Sequence, residues 1–122
     1  MTKKVLIVDD SATVRERVRG TLTGAGYEVL EAADGVEGLE RILATEDLSA
    51  VFCDINMPRL SGLDMLEQVK QKGLLQRLPV IMLTTEDQAS CVERAKAVGA
   101  KGYIVKPFKP EHLVSTMRRL TS

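Results

Sequence analysis

The sequence predicts an α/β fold, one domain over residues 1–122 built on an open, doubly wound parallel sheet. Three observations carry that expectation. Short apolar runs alternate five times with segments whose apolar residues recur every three or four positions, which is the pattern of strand and helix in turn. The first run, Val5-Leu6-Ile7-Val8, is continuous rather than alternating, as befits a strand covered on both faces. Five strand–helix units are also too few for a closed eightfold barrel, so the sheet stays open.

The elements follow in order. Asp9-Asp10 ends the strand at 5–8, and Ser11 is placed to cap a helix whose inner residues are Val14, Val18 and Leu22,. Gly24 and Gly26 stop that helix,. A second strand is expected at 27–30. Asp34-Gly35 then opens a helix with Val36, Leu39 and Leu43 on one face. The third strand is expected at 50–53. Ser61, with Asp64 three residues on, resembles a capping box and starts a helix carrying Leu63, Leu66 and Val69, which Gly73 ends,. Pro79 leads into a fourth strand at 80–83. The next helix turns Ala89, Val92 and Ala95 inward and stops at Gly99. A fifth strand at 103–105 precedes a last helix in which Pro110 suits the first turn and Leu113, Val114, Met117 and Leu120 face the core,.

Composition narrows the function. The 17 basic and 17 acidic residues cancel, which argues against a general nucleic-acid binder,. With two Tyr, two Phe and no Trp there is no platform for stacking single-stranded bases,. Cys53 and Cys91 read as small buried thiols in a reducing compartment rather than as a disulfide framework,. No apolar run approaches a membrane span. The apolar run that follows the charged start is stopped after four residues by Asp9 and Asp10, so no signal peptide is expected,. A cytoplasmic protein is expected, and the balanced charge favours a monomer.

Ligands of an open parallel sheet bind at the carboxyl ends of its strands. There the sequence puts Asp9-Asp10 after the first strand, Asp54 after the third, Thr84-Thr85 after the fourth and Lys106-Pro107 after the fifth. The second offers only Glu31. Each piece alone is an ordinary cap or turn, but their joint placement on one edge is not. Two unit charges about 4 Å apart repel by about 4 kcal/mol at an effective dielectric of about 20, so three acids need an offset. Lys106 supplies one positive charge, and a divalent cation would supply more. An all-oxygen donor set without His or Cys points to Mg²⁺ rather than Zn²⁺. The Asp54 carboxylate can attack phosphorus to form an acyl phosphate, with Lys106 and the Thr84 hydroxyl holding charge on the phosphoryl oxygens.

The motifs Val5-Leu6-Ile7-Val8-Asp9-Asp10, Asp54-Ile55-Asn56-Met57-Pro58 with Gly62, Leu83-Thr84 and Lys106-Pro107-Phe108 together resemble bacterial response-regulator receiver domains. The likeness is greatest to the single-domain, CheY-like chemotaxis type, and it covers essentially the whole chain. It implies a flavodoxin-like (βα)5 three-layer sandwich with sheet order 2-1-3-4-5. It implies Asp54 as phosphoacceptor. Mg²⁺ would be held by the side chains of Asp10 and Asp54 and the Asn56 backbone carbonyl, with Asp9 on a metal-bound water. By the same resemblance Lys106 contacts a phosphoryl oxygen, Thr84 and Tyr103 are switch residues that turn inward after phosphorylation, and the Lys106-Pro107 bond is cis. Polar Asn56 and Glu86 flank the path of the hydrolytic water, which implies a short-lived phosphoryl state. The expected phosphodonor is a histidine kinase. The expected output is a protein target on the face made by the fourth helix, fifth strand and last helix, where Glu93, Lys96, Lys101, Tyr103 and Arg118 lie, with neither nucleic acid nor membrane bound directly. His112 is expected to be merely exposed.

Other classes fit less well. A phosphatase of the haloacid-dehalogenase type wants a second Asp two residues after its nucleophile, and Asn56 stands there. A nucleotide-binding module wants a Gly-rich loop after the first strand, where Asp9-Asp10-Ser11-Ala12 stands,. The chain is therefore expected to catalyse only its own phosphorylation and dephosphorylation. The chemotaxis-like protein is expected to stand alone, the alternatives being the receiver piece of a DNA-binding regulator or a phosphorelay intermediate.

Overall fold

The computed structural model describes residues 2–121, the side chain of Glu86 excepted. The expected domain limits at Met1 and Ser122, and the role expected of the Glu86 side chain, lie outside the described residues. Five strands, β1 (Lys4–Val8), β2 (Glu28–Ala32), β3 (Leu48–Asp54), β4 (Val80–Thr84) and β5 (Gly102–Val105), pair in parallel in the order β2-β1-β3-β4-β5. The helices are α1 (Ala12–Gly24), α2 (Gly35–Ala44), α3 (Gly62–Gln71), α4 (Ala89–Val98) and α5 (Pro110–Thr121), and a 3₁₀ turn, Glu86–Gln88, leads into α4. The expected sandwich and sheet order are both present.

Alternation along the strands divides the core in two. Leu6, Val8, Val51, Cys53, Val80 and Met82 face α2, α3 and α4, where Ile42, Leu66, Val69, Val92 and Ala95 meet them. Val5, Ile7, Ala50, Phe52, Ile81, Leu83 and Ile104 face α1 and α5, where Val18, Leu22, Leu113 and Met117 close the other layer. Burying each Leu, Val or Ile contributes about 1.5–3 kcal/mol, so both faces hold the sheet firmly beneath its carboxyl-end loops.

Several expectations move. β2 starts and ends later than 27–30, because the Tyr27 backbone N–H donates to Leu22 O at 3.0 Å and closes the turn after α1. The strand therefore carries Glu31 inside it. The inner face of α2 is Gly38 and Ile42 with half-buried Leu39, while Leu43 is 52% exposed. Gly38 brings the helix so close that an added Cβ would stand 2.9 Å from Val8 Cγ1 and Met65 Sδ. Apolar spacing misses a face whose contact residue is glycine. Ala89 is exposed, since the 3₁₀ turn sets the phase of α4 so that Val92 and Ala95 point inward. Cys53 is buried as expected, but Cys91 is only half-buried, and both thiols are free. Among the described residues no helix is long and apolar enough to cross a membrane.

Candidate functional site

The site is assembled by where the strands stop. β3 carries Asp54 as its last residue, in register with Leu83, and Thr84 at the end of β4 stands opposite Val105. Asp9 follows β1, and its backbone N–H extends the ladder to Ala32 O at 3.1 Å. The β1–α1 turn is then fixed twice over. Ser11 N–H donates to Asp9 Oδ1 at 2.9 Å, and Ser11 Oγ caps α1 by accepting from Val14 N–H at 3.3 Å,. Arg15 adds a bond to the Asp9 carbonyl at 2.7 Å.

Three acids meet there. Asp9, Asp10 and Asp54 each offer a carboxylate oxygen, all within 4.8 Å of one another. Asp9 is fully buried, Asp54 is buried, and Asp10 is exposed. Lys106, brought in after β5, sends Nζ to Asp9 Oδ2 at 2.7 Å and to Asp54 Oδ1 at 3.4 Å. The ammonium is thus shared unequally, and Asp9 has the better part. Burial pushes the Asp54 carboxyl up to about 6 and the charge of Asp9 adds to it, while Lys106 only partly opposes them. For Lys106, burial works to lower the pKa, but the hydrogen bond it donates to Asp9 and the charges of Asp54 and Asp9 outweigh it and the net direction is up. Behind the acids, burial keeps the Cys53 thiol protonated, and the Asp54 and Asp9 charges reinforce this.

The loop after Asp54 is packed without room to spare. Gly62 N–H donates to Ile55 O at 2.8 Å, and a Cβ on Gly62 would lie 2.0 Å from the Asp54 carbonyl oxygen. Arg59, at φ 67°, reaches back with Nε 2.8 Å from Asp34 Oδ2, the carboxylate that caps α2. That bond, followed by the Glu37 N–H, holds the Asp34 carboxyl below its ordinary value.

The other expected residues are placed as follows. Asn56 is exposed, two residues beyond Asp54. Thr84 is buried, its hydroxyl bonded to Gln88 Oε1 at 2.9 Å rather than to an acid. Tyr103 is 46% exposed with Lys96 Nζ 5.0 Å from its ring centroid, and a cavity of about 230 Å³ is lined by both Thr84 and Tyr103. The Lys106-Pro107 bond is cis. His112 is exposed. Glu31 does not join the acids: it pairs with Arg15 at 3.2 Å and Arg19 at 2.5 Å. Sequence reasoning passed over Gln88, although Thr85 followed by Gln88 three residues on is a capping signature that was there to be read.

Three hard carboxylate oxygens, with no nitrogen or sulfur ligand among them, suit Mg²⁺,. Burial first and the charge of Asp9 second hold Asp54 above its ordinary value, and a divalent cation would offset both.

A family model for the response regulator receiver domain matches residues 5–118. The chain is 43% identical over 111 residues to the chemotaxis protein CheY1 of Helicobacter pylori strain 26695, covering 90% of each. It is 41% identical over 120 residues to the response regulator MprA of Mycobacterium ulcerans, covering 98% of this chain and 50% of MprA. Its backbone is similar to the solved structure of the chemotaxis response regulator CheY4 of Vibrio cholerae, with TM-score 0.90 and 41% identity over 98% of this chain and 99% of that one.

Proposed function

The chain belongs to the response regulator receiver family as a CheY-like member, and on that premise we propose that it carries a transient phosphoryl group on Asp54 and signals in a chemotaxis-type pathway. The observation that carries the reading is the buried Asp54 carboxylate with two further acids within 4.8 Å and an ammonium 3.4 Å away. A histidine kinase is the donor. An Asp54 oxygen forms a bond to phosphorus as the donor's P–N bond breaks, and the imidazole leaves with the electron pair and takes up a proton. Lys106 balances charge on the phosphoryl oxygens, and the Thr84 hydroxyl turns toward them. Asp10 and Asp54 with the Asn56 carbonyl would hold Mg²⁺, and Asp9 would hold a water on it. The cation supplies charge neutralisation to the phosphoryl oxygens when bound.

Output runs through the α4–β5–α5 face, where Glu93, Lys96, Lys101, Tyr103 and Arg118 are exposed. Tyr103 enters the cavity it shares with Thr84, and a protein partner reads the change. The chain works in the cytoplasm as a monomer and catalyses only its own phosphorylation and loss of phosphate. Asn56 and Glu86 tune that loss. The similarity to half of MprA favours a second reading, in which the same chemistry serves as the input piece of a longer regulator.

The test is the intact mass after incubation with acetyl phosphate, with and without Mg²⁺, for wild type and Asp54→Asn. A Mg²⁺-dependent gain of one phosphoryl group in the wild type alone is expected. A wild type that gains nothing, or a variant that gains as much, overturns the assignment.

A further inference from the structure

The Thr84 hydroxyl has a single hydrogen, and in this structure it is already engaged. Oγ1 donates to Gln88 Oε1 at 2.9 Å, with the Thr85 carbonyl a longer alternative at 3.2 Å. Gln88 is itself anchored. The same Oε1 accepts from the Thr85 backbone N–H at 2.8 Å, and Gln88 N–H donates to Thr85 O at 3.1 Å. Thr84 is 1% exposed, so water does not compete for its proton. One amide oxygen therefore closes the turn that begins α4 and also holds the hydroxyl off the acids.

We propose that Gln88 is a positioning residue that latches Thr84 away from Asp54 and thereby sets the resting balance of the switch. The inference rests on reading Asp54 as the phosphoacceptor. For Thr84 to donate to a phosphoryl oxygen, the bond to Gln88 must break first, and a bond present in only one of two conformations shifts their ratio by its own strength. A neutral hydrogen bond of ordinary net strength corresponds to about a two- to tenfold shift. Because the Thr85 carbonyl remains as a second acceptor, the shift falls within that range rather than above it.

Gln88→Met keeps the length of the side chain and removes the amide acceptor, while Gln88→Glu keeps an acceptor for both donors. The first readout is the Thr84 rotamer population in the unphosphorylated protein, from three-bond couplings to its methyl carbon. The second is the rate of phosphorylation by acetyl phosphate at fixed Mg²⁺. Gln88→Met is expected to raise both by about two- to tenfold, Gln88→Glu to leave them at or below wild type, and Gln88→Met to have no effect on the rate in a Thr84→Ala background. A merely structural role for Gln88 would change the rate with or without the hydroxyl. The latch is overturned if Gln88→Met leaves the rotamer population unchanged, or if it alters the rate equally in the Thr84→Ala background. If no chain, wild type included, takes up a phosphoryl group, the functional reading fails and the rotamer populations alone decide the latch.

Discussion

Asp54 is a carboxylate held where its charge is unwelcome, and the pH dependence of stability follows from that. Its pKa stands at about 6 in the folded chain against an ordinary 3.8. Between those values the folded state holds a proton that the unfolded state has released, so stability falls as pH rises through the window and stays lower above it. A rise of about two units corresponds to up to about 3 kcal/mol. Asp54→Asn has no such proton to lose. In metal-free buffer the variant and the wild type should melt alike near pH 4, and the variant should melt higher above pH 6. Thermal denaturation across that range checks it, and a variant that melts lower at pH 7 would mean that Lys106 satisfies Asp54 fully. At this scale the sequence was informative about Asp9, Asp10, Asp54 and Lys106, because each stands at the end of a strand and its chemistry is in its type. It was silent on how Lys106 divides itself, 2.7 Å from Asp9 and 3.4 Å from Asp54, since that depends on packing between distant segments.

Elements position the site through close approach, and glycine marks where. α3 starts so near the end of β3 that Gly62 has no room for a methyl group, its nearest neighbour being the Asp54 carbonyl oxygen at 2.0 Å. A backbone atom cannot rotate away as a side chain can. Gly62→Ala is therefore expected to cost about 1–3 kcal/mol by overpacking and to slow phosphorylation by displacing Asp54. Gly20, exposed within α1 with nothing within 4 Å of an added Cβ, is the control, where alanine should stabilise by about 0.5–1 kcal/mol,. Urea midpoints for both variants test the pair, and equal effects would dismiss the close-approach argument. The same physics explains what was legible among the elements. Strands with continuous apolar runs and helices with Leu or Val stripes announce themselves, as α1, α3 and α5 do. The inner face of α2 does not, because the residue making its contact is Gly38, and Leu43 at helical spacing lies on the solvent side.

At the scale of the whole molecule, one sheet with both faces buried carries four strand ends to one edge, so what binds the edge stabilises the fold. The three acids lie after or within β1 and β3, two adjacent interior strands of the order β2-β1-β3-β4-β5, and opening either one dissolves the site. A cation that binds only the folded chain stabilises it by mass action, about 2.7 kcal/mol at a hundredfold excess over its Kd. For a domain of this size that is on the order of 10 °C in Tm. Mg²⁺ in excess should therefore raise the melting temperature of the wild type, and chelation should reverse it. Asp10→Asn, which removes the exposed carboxylate's charge without disturbing the partly buried pair of Asp9 and Lys106, should lose most of the gain. The effect has a pH signature of its own. Below about pH 6 Asp54 is protonated, so the ion must displace a proton to bind, and the stabilisation should fade as pH falls through that value. Equal Mg²⁺ stabilisation of wild type and Asp10→Asn, or a gain undiminished at pH 5, would mean that the ion binds elsewhere and that Lys106 alone balances the acids.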